Sequence, residues 1–319
     1  MNRRGFLIRS SVLLSASMLS RLRLSGQAPT AAAPSPRGPQ PVSPPAPSFT
    51  EFHPLRRGVG CFTGRGGTIG WLATPDAAVI VDTQFPDTAA ICLAGLPDRA
   101  NRPVDVVLNT HHHADHTSGN PIMKPTAKTI VAQANVPKLQ FAAAERAGTL
   151  DQQVYADTTF AEVWRHDFGE EIVTAQYFGP AHTNGDAIVH FEEANVVHMG
   201  DLVFNRLYPV VDRAAGGTVR GWISRLEETI DTYPADAIYL FGHANAKFGV
   251  SGSQDDLRMM RDFFTAVLEY VQKGIAAGQA KEQIVGLENL PGFSDFHLPR
   301  PNRLGQSLAA AYAELTEKS

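Results

Sequence analysis

The chain has 319 residues, of which 43% are hydrophobic and 19% charged, a composition typical of a globular protein with a sizeable core. A formal net charge of −4, with no long basic run after residue 25, argues against a nucleic-acid partner. The two cysteines, Cys61 and Cys92, are too few for a disulfide scaffold, so we expect buried thiols rather than a bridge.

The first 48 residues carry the pattern of an exported protein. The adjacent Arg3 and Arg4 resemble a twin-arginine export signal, and the weakly apolar stretch 10–20 is too short to span a bilayer. We therefore predict a signal peptide over 1–33, recognised by the Tat export machinery, and a periplasmic mature protein without a membrane span. A disordered basic tail is the alternative interpretation. Residues 34–48 are rich in proline and predict an extended linker.

From residue 49 to residue 319 the pattern predicts one α/β domain with a helical C-terminal part. Short apolar runs bounded by turn residues predict these strands: Gly58–Thr63, Thr68–Ala73, Ala78–Asp82, Val104–Asn109, Thr129–Ala132, Glu171–Phe178, Ala187–Phe191, Val196–Met199 and Ala237–Phe241. Longer amphipathic runs predict these helices: Thr88–Leu96, Val136–Arg146, Thr218–Tyr233, Ser253–Gly274, Ala280–Glu288 and Asn302–Glu317.

A dense histidine motif follows the predicted strand Val104–Asn109. Residues 111–116 read His-His-His-Ala-Asp-His, which contains the spacing His-x-His-x-Asp-His. Imidazole and carboxylate groups at this density are typical metal ligands, and a strand that ends in such a loop presents them at the edge of its sheet. The motif therefore predicts a metal centre that a substrate can reach.

Three more predicted strands also end in turns that carry histidine or aspartate, at His182, Asp201 and His243. Side chains delivered from the ends of several strands build one site at one edge of a sheet. The candidate ligands are His111, His113, Asp115, His116, His182, Asp201 and His243. Three of them, His111, His113 and His182, can hold one ion and leave a position open for water, as catalytic zinc requires.

The remaining candidate ligands can hold a second ion. Asp115 and His116 point differently from the first two histidines and can converge with His243, while the two oxygens of Asp201 can bridge both ions. Two ions about 3.5–4 Å apart can share a hydroxide and clamp an attacked carbonyl or phosphoryl oxygen. This arrangement needs no serine or cysteine nucleophile.

These motifs resemble those of the metallo-β-lactamase superfamily of hydrolases. The resemblance covers residues 58–245 and implies a four-layer αβ/βα sandwich with two zinc ions at the sheet edge, iron or manganese being the other metals to consider. Asp82, in Val-Asp-Thr, matches an aspartate that supports the ligands from behind. The aspartate at position 201 resembles the pattern of the glyoxalase II and lactonase branches, since zinc β-lactamases usually carry Cys or Ser at the equivalent position.

The resemblance implies a periplasmic dizinc hydrolase that cleaves a small-molecule ester, thioester, lactone or β-lactam amide through metal-activated hydroxide. Asp115 is expected to orient the hydroxide and to pass a proton to the leaving group. Tyr208 is a second catalytic candidate, as an oxyanion donor, although a packing tyrosine fits equally well. Two alternatives stay open: a persulfide dioxygenase with one iron, and a periplasmic metal-binding protein without turnover.

Other polar residues carry weaker expectations. Arg206 and Arg213 are candidates to hold a substrate carboxylate, with a solvated arginine as the default. His112 lies between two candidate ligands and is expected to point away from the metals. His190 and His198 fall on strands and are expected to face a polar layer or solvent. Trp222 and the pair Met259 and Met260 fall on helices and are expected in the core.

Overall fold

Residues 50–96, 102–296 and 302–317 are described by the computed structural model. They belong to one unit of the chain. The predicted signal peptide over 1–33 and the linker over 34–48 lie outside the described residues. Within the described ranges, no helix combines the length and the apolar character that crossing a bilayer requires.

The first sheet has seven strands that pair in chain order. The first four strands pair antiparallel, and the last four run parallel. Every residue of Val104–Asn109 is buried, which explains why this strand is mostly apolar, with only Asp105 and the final Asn109 polar. The strands are Glu51–Pro54 (β1), Val59–Thr63 (β2), Ile69–Ala73 (β3), Ala78–Val81 (β4), Val104–Asn109 (β5), Ala127–Gln133 (β6) and Thr158–Phe160 (β7).

The second sheet has six strands: Val163–Asp167 (β8), Ile172–Gln176 (β9), Ile188–Phe191 (β10), Val196–His198 (β11), Ile238–Leu240 (β13) and Ser251–Gly252 (β15). They pair in the order β15-β13-β11-β10-β9-β8. A separate parallel pair joins Phe204–Asn205 (β12) to His243–Ala244 (β14). This pair ties the segment that follows Asp201 to the turn that carries His243.

The helices begin and end where their local sequence dictates. Ser253 and Asp256 form a capping box at the start of the longest helix, and Gly148 ends another in the left-handed conformation. The helices are Pro86–Gly95 (α1), Ala114–Thr117 (α2), Asn120–Met123 (α3), Val136–Ala147 (α4), Val219–Thr232 (α5), Gln254–Ala276 (α6), Lys281–Val285 (α7) and Arg303–Thr316 (α8). Single 3-10 turns cover Leu150–Gln152, Gly200–Leu202 and Arg213–Ala215.

Three apolar cores separate four layers of secondary structure. One core lies between the two sheets and includes Val106 and Val189. A second, with Val107 and Cys92, packs α1 and α3 against the outer face of the first sheet. The third packs α5, α6 and α8 against the second sheet around Trp222. The predicted four-layer αβ/βα sandwich is therefore confirmed.

Most predicted elements are present, with ends shifted by one or a few residues. The helix predicted over Ala280–Glu288 already ends at Val285. Six strands were not predicted, because they are short or alternate poorly: Glu51–Pro54, Thr158–Phe160, Val163–Asp167, Phe204–Asn205, His243–Ala244 and Ser251–Gly252. Cys61 and Cys92 are buried thiols, as expected, and Trp222 and Met260 lie in the core.

Candidate metal centre

The ends of several strands bring all seven candidate ligands to one edge of the sandwich. β5 ends at Asn109, and the histidine motif continues through a turn into α2, which carries Asp115 and His116. His182 lies in the turn between β9 and β10, whereas Asp201 and His243 follow β11 and β13. The structure therefore brings together the residues that the strand-end pattern selected.

The first group of ligand atoms contains three imidazoles and one carboxylate. The Nδ1 atom of His113 lies 3.2 Å from Nε2 of His111 and 2.9 Å from Nε2 of His182. Oδ2 of Asp201 lies 3.5 Å from Nε2 of His182. One ligand atom from each of these four residues lies within 4.8 Å of the others, which is close enough for one ion.

The second group contains Asp115, His116 and His243. Oδ2 of Asp115 lies 3.1 Å from Nε2 of His243 and 3.8 Å from Nε2 of His116. Asp201 lies between the groups: its Oδ1 is 3.1 Å from Nε2 of His116, and its Oδ2 is 3.4 Å from Nε2 of His243. Asp201 is thus placed to bridge two ions.

Two buried atoms in this centre indicate that a cation belongs there. Nε2 of His116 and Oδ1 of Asp201 are buried and 3.1 Å apart, yet neither has a hydrogen-bond partner. Buried polar atoms without partners are costly, and a shared metal ion removes that cost. Glycines keep the space around them open, since a Cβ atom at Gly67 would meet His116 at 2.2 Å and one at Gly242 would meet Asp201 at 2.0 Å.

Two histidines of the first group, His111 and His182, are held neutral, as metal ligands must be. Burial lowers the pKa of His182 to about 4, and it also lowers the pKa of His111 well below its usual value, with the nearby His116 adding to the effect. A neutral imidazole keeps the lone pair that binds a metal. These two imidazoles are therefore prepared for coordination at neutral pH.

The second group carries excess negative charge. Burial would lower the pKa of His243, but Asp201 and Asp115 outweigh it and raise this pKa to about 9. Burial acts the same way on His116, and the neighbouring carboxylates raise its pKa well above the usual value. Protons therefore occupy this group when no other cation does, which is the expected electrostatics of a cation site.

Asp82 supports the centre from behind, in agreement with its expected position. Its Oδ2 lies 2.7 Å from Nδ1 of His116 and accepts a hydrogen bond from the Thr110 hydroxyl, while its Oδ1 accepts from the Thr110 amide. The backbone of Asp82 has φ +64°, a left-handed conformation that is strained for a residue other than glycine. This turn directs the carboxylate back toward the histidine loop.

Two supporting contacts could not be foreseen from the sequence. Nε2 of His113 lies 2.9 Å from Oδ2 of Asp212, and Nδ1 of His182 lies 2.7 Å from the carbonyl oxygen of Val210. Both partners belong to one segment after β12, in which no motif marks Asp212 as different from other acidic residues.

A cavity of about 710 Å³ opens over the metal centre, and both ligand groups reach its wall. Its other lining residues are mostly apolar, with two arginines, Arg65 and Arg303. The lining side chains are Arg65, Phe85, His113, Ala114, Asp115, His182, Asp201, Phe204, Leu207, Tyr208, Val210, His243 and Arg303, together with Gly66. Such a volume suits a small-molecule substrate.

The arginines expected to hold a substrate carboxylate do not line this cavity. Arg206 lies 3.1 Å from Asp256, and Arg213 lies 2.6 Å from Glu317, so each serves an ion pair elsewhere. The Tyr208 ring lines the cavity but is buried and packs on two phenylalanines. The geometry therefore favours packing for Tyr208, and its catalytic role stays a prediction.

The expectation for His198 was wrong. The side chain is fully buried, because the carbonyl oxygen of Thr68 lies 3.1 Å from its Nε2 and the Gly200 amide donates to its Nδ1. Backbone partners thus replace the polar layer that was expected.

The other two histidines lie outside the candidate centre. His190 is half-buried beside Tyr233. His112 is buried outside both ligand groups, with Nε2 3.8 Å from Asp212.

A four-layer sandwich with histidines and aspartates gathered at its strand ends defines a class of metal-dependent hydrolases. Residues 62–243, more than half of the chain, match the model of the metallo-beta-lactamase superfamily. The chain belongs to this superfamily. Its membership in this family, together with a relative that is named a hydrolase, supports the assignment of this chain as a metal-dependent hydrolase.

That relative is a hydroxyacylglutathione hydrolase from Bartonella quintana (strain Toulouse), which is 29% identical over 120 residues. The match covers 38% of this chain and 42% of the relative, so it spans less than half of that protein's length.

Among solved structures, a metallo-beta-lactamase from Pontibacter korlensis is similar, with a TM-score of 0.56 and 19% identity over 68% of this chain and 99% of that one. A stereoselective inverting sec-alkylsulfatase from Pseudomonas sp. has a TM-score of 0.65 and 14% identity, covering 84% and 50% of the two chains. At these identities the likeness shows the fold alone.

Proposed function

We propose that this protein is a dinuclear zinc hydrolase that cleaves the acyl bond of a small ester, thioester, lactone or β-lactam. The observation that carries the proposal is the pair of ligand groups that share Asp201. Its Oδ1 approaches His116 of the second group, and its Oδ2 lies between His182 of the first group and His243 of the second. A single-ion enzyme needs only one such group, whereas a two-ion hydrolase needs both.

His111, His113 and His182 would hold the first ion, and the second group of Asp115, His116 and His243 would hold the other, with Asp201 between them. Zinc held there would supply Lewis acidity, which brings the pKa of a coordinated water to about 7 and polarises a substrate carbonyl. Imidazole and carboxylate donors suit zinc and also accept iron or manganese.

Asp115 is the side chain that we assign to proton transfer. It lines the cavity, and its side chain is 31% exposed, so a substrate can reach it. Burial would raise its pKa, but His116 and His243 outweigh this effect and hold the pKa well below its usual value. Asp115 is therefore a carboxylate at neutral pH and can accept a hydrogen bond that orients the nucleophile. Relay of that proton to the leaving group is the role that we propose for it.

Acyl thioesters are the first substrate class to test. The similar protein from Bartonella quintana is named for the hydrolysis of hydroxyacylglutathione. In this chain, Arg303 and Arg65 line the cavity beside apolar side chains, a combination that suits an acyl compound with an anionic group, although Arg65 also pairs with Asp87 at 2.6 Å. Lactones and β-lactams present the same carbonyl chemistry and belong in the same panel.

We further propose that the mature enzyme works in the periplasm after export by the twin-arginine route. The support is the sequence of residues 1–33 alone. Replacement of Arg3 and Arg4 by lysine should retain the protein in the cytoplasm, as measured by cell fractionation. Unchanged export of that variant would contradict the proposal.

The central test combines metal analysis with a substrate panel. The purified protein should contain about two zinc ions per chain and hydrolyse a glutathione thioester, a lactone or nitrocefin. His113→Ala and Asp115→Ala should each lose most of this activity, whereas Asp105→Asn, at the far end of β5, should keep it. One iron ion per chain together with oxidation of persulfides would contradict the proposal and identify a dioxygenase. Bound metal without hydrolysis of any substrate in the panel would indicate a metal-binding protein.

A further inference from the structure

One short segment, residues 207–216, holds the outward nitrogens of two histidines in the first ligand group. The carbonyl oxygen of Val210 lies 2.7 Å from Nδ1 of His182, and Oδ2 of Asp212 lies 2.9 Å from Nε2 of His113. Each contact fixes which ring nitrogen faces the centre, because the other nitrogen is occupied. The segment therefore sets the orientation of two of the three imidazoles.

His113 depends most on this support, because it alone turns Nδ1 toward the centre. Its side chain is 24% exposed, while those of His111 and His182 are 1% exposed and enclosed by other groups. An exposed ring has room to rotate, and the Asp212 carboxylate is the partner that holds its Nε2. A carboxylate in this place also raises the basicity of the ligand nitrogen.

Asp212 is itself held in a rigid turn. The Ala215 amide donates to its Oδ1, the Gly217 amide donates to its carbonyl oxygen, and its own amide donates to the carbonyl oxygen of His182. The next residue, Arg213, ties the turn to the C-terminal helix through Glu317. The carboxylate is therefore fixed in place before any ion binds.

The second ligand group is supported from elsewhere. His116 is held by Asp82, and His243 packs parallel to Phe204 with ring centroids 5.1 Å apart. Within residues 50–96, 102–296 and 302–317, no hydrogen bond joins the segment 207–216 to Asp115, His116 or His243. The segment 207–216 thus supports the first group alone. Asp82 and Phe204 reach both groups, since the Thr110 hydroxyl that donates to Asp82 lies 3.0 Å from Nδ1 of His111, and the Phe204 ring lies 5.8 Å from the His182 ring.

We propose that Asp212 is a positioning residue that tunes the affinity of the first ion independently of the second. The proposal rests on the two-ion centre of the proposed function. Asp212 acts through His113 and contacts neither ion. Loss of such a carboxylate typically weakens metal binding by about 10- to 100-fold. The affected ion is the one held by the three imidazoles.

The test is a zinc titration of metal-free protein against a chromophoric chelator, which resolves two dissociation constants. Asp212→Asn keeps the shape and an accepting oxygen but loses the charge, and should weaken one ion by about 10-fold. Asp212→Ala also loses the hydrogen bond and should approach 100-fold. The second constant should change by less than about threefold. Glu317→Gln removes an exposed charge beside the turn but keeps the amide hydrogen bonds that hold Asp212, so it should change neither constant.

A second measurement separates positioning from general damage. Metal-free Asp212→Asn should melt within about 2 °C of the metal-free wild type, because only the metal-dependent stabilisation is reduced. Cobalt-substituted wild type should show an exchangeable, paramagnetically shifted imidazole proton from Nε2 of His113, which is lost or broadened in the variant. Equal weakening of both ions, or unchanged constants, would overturn the inference. Wild-type protein that binds fewer than two zinc ions would instead overturn the proposed function.

Discussion

The two ends of strand β5 show two different uses of buried charge. At its start, Asp105 contacts Arg102 and Lys128 at 2.6 Å each and accepts a hydrogen bond from the Ala78 amide. At its other end, the histidine motif joins Asp201, and three buried atoms of that cluster have no partner: Nδ1 of His112, Nε2 of His116 and Oδ1 of Asp201. Both oxygens of Asp105 are paired with protein cations, although Nε of Arg102 has no hydrogen-bond partner, whereas Oδ1 of Asp201 has none and needs a cation to pair it.

This difference separates a structural polar cluster from a functional one. A buried carboxylate that is fully paired stabilises the fold, and its loss reduces stability. A buried carboxylate among imidazoles with open lone pairs stabilises the fold only when metal is bound, and its loss removes activity. A variant of Asp105 at the start of β5 should therefore lose stability, whereas a variant of the histidine motif at its end should lose activity.

The largest effect is expected at Asp201. Asp201→Ala removes the carboxylate that both ligand groups share, and it should lower kcat/KM by about 1,000-fold, equivalent to about 4 kcal/mol of transition-state stabilisation. Metal analysis should find less than two zinc ions per chain. Asp105→Asn is the matched control, since it removes the other carboxylate cluster of β5 and should keep kcat/KM within about twofold. Similar losses in both variants would contradict the comparison.

Removal of metal should destabilise the protein strongly. An ion present at about 1,000 times its dissociation constant stabilises a folded protein by about 4 kcal/mol, which corresponds to a drop of about 8–16 °C in Tm on chelation. Scanning calorimetry before and after dialysis against a chelator measures this shift, and added zinc should reverse it. Identical melting curves would show that the incomplete cluster does not need a cation.

Asp105→Asn should reduce stability rather than activity. At pH 7 we expect a loss of about 1–3 kcal/mol, because Arg102 and Lys128 lose their shared partner. Urea unfolding measures this loss in the variant and in wild type. An unchanged midpoint would mean that the ion cluster contributes nothing.

The stability that the cluster of Asp105, Arg102 and Lys128 contributes should decrease as the pH falls. Burial would raise the pKa of Asp105, but Lys128, the Ala78 amide and Arg102 outweigh it and hold the pKa below 3.8. A carboxyl with a lowered pKa in the folded state contributes stability above its unfolded pKa and loses it as pH falls through the folded value. The gap between wild type and Asp105→Asn should therefore persist from pH 7 to about 5 and shrink below about 4. A gap that widens on acidification would contradict this assignment.

The smallest effect is expected for an exposed ion pair. Lys247 and Asp295 lie 3.6 Å apart, with side chains 72% and 59% exposed. Asp295→Asn should change the free energy of unfolding by less than about 0.5 kcal/mol and leave metal content unchanged. A loss of unfolding free energy similar to that of Asp105→Asn would mean that burial does not decide how much an ion pair contributes to stability.

Much of the fold could be predicted because strand ends and motifs coincide in this sequence. The buried strand β5 reads as an apolar run, and the histidine motif marks where it ends. The same rule selected His182, Asp201 and His243, which lie far apart in sequence but meet at one sheet edge. The exposed edge strand Val163–Asp167 was missed, since an edge strand needs no continuous apolar run.

The supports of the centre could not be predicted in the same way. Asp82 was anticipated from its motif, but Asp212 carries no local signal, and only the tertiary fold brings it to His113, 99 residues earlier in the chain. His198 looked like a polar strand residue, yet two backbone groups make its complete burial possible. Such partners depend on how loops from different strands meet, which sequence spacing does not encode.

The central claim is that seven side chains hold two divalent cations around Asp201, and anomalous X-ray diffraction at the zinc edge tests it most directly. Crystals of protein purified without added chelator should show two peaks about 3.5–4 Å apart, one beside His111, His113 and His182 and one beside Asp115, His116 and His243. A single peak, or peaks that lie away from Asp201 in crystals grown with zinc, would contradict the account.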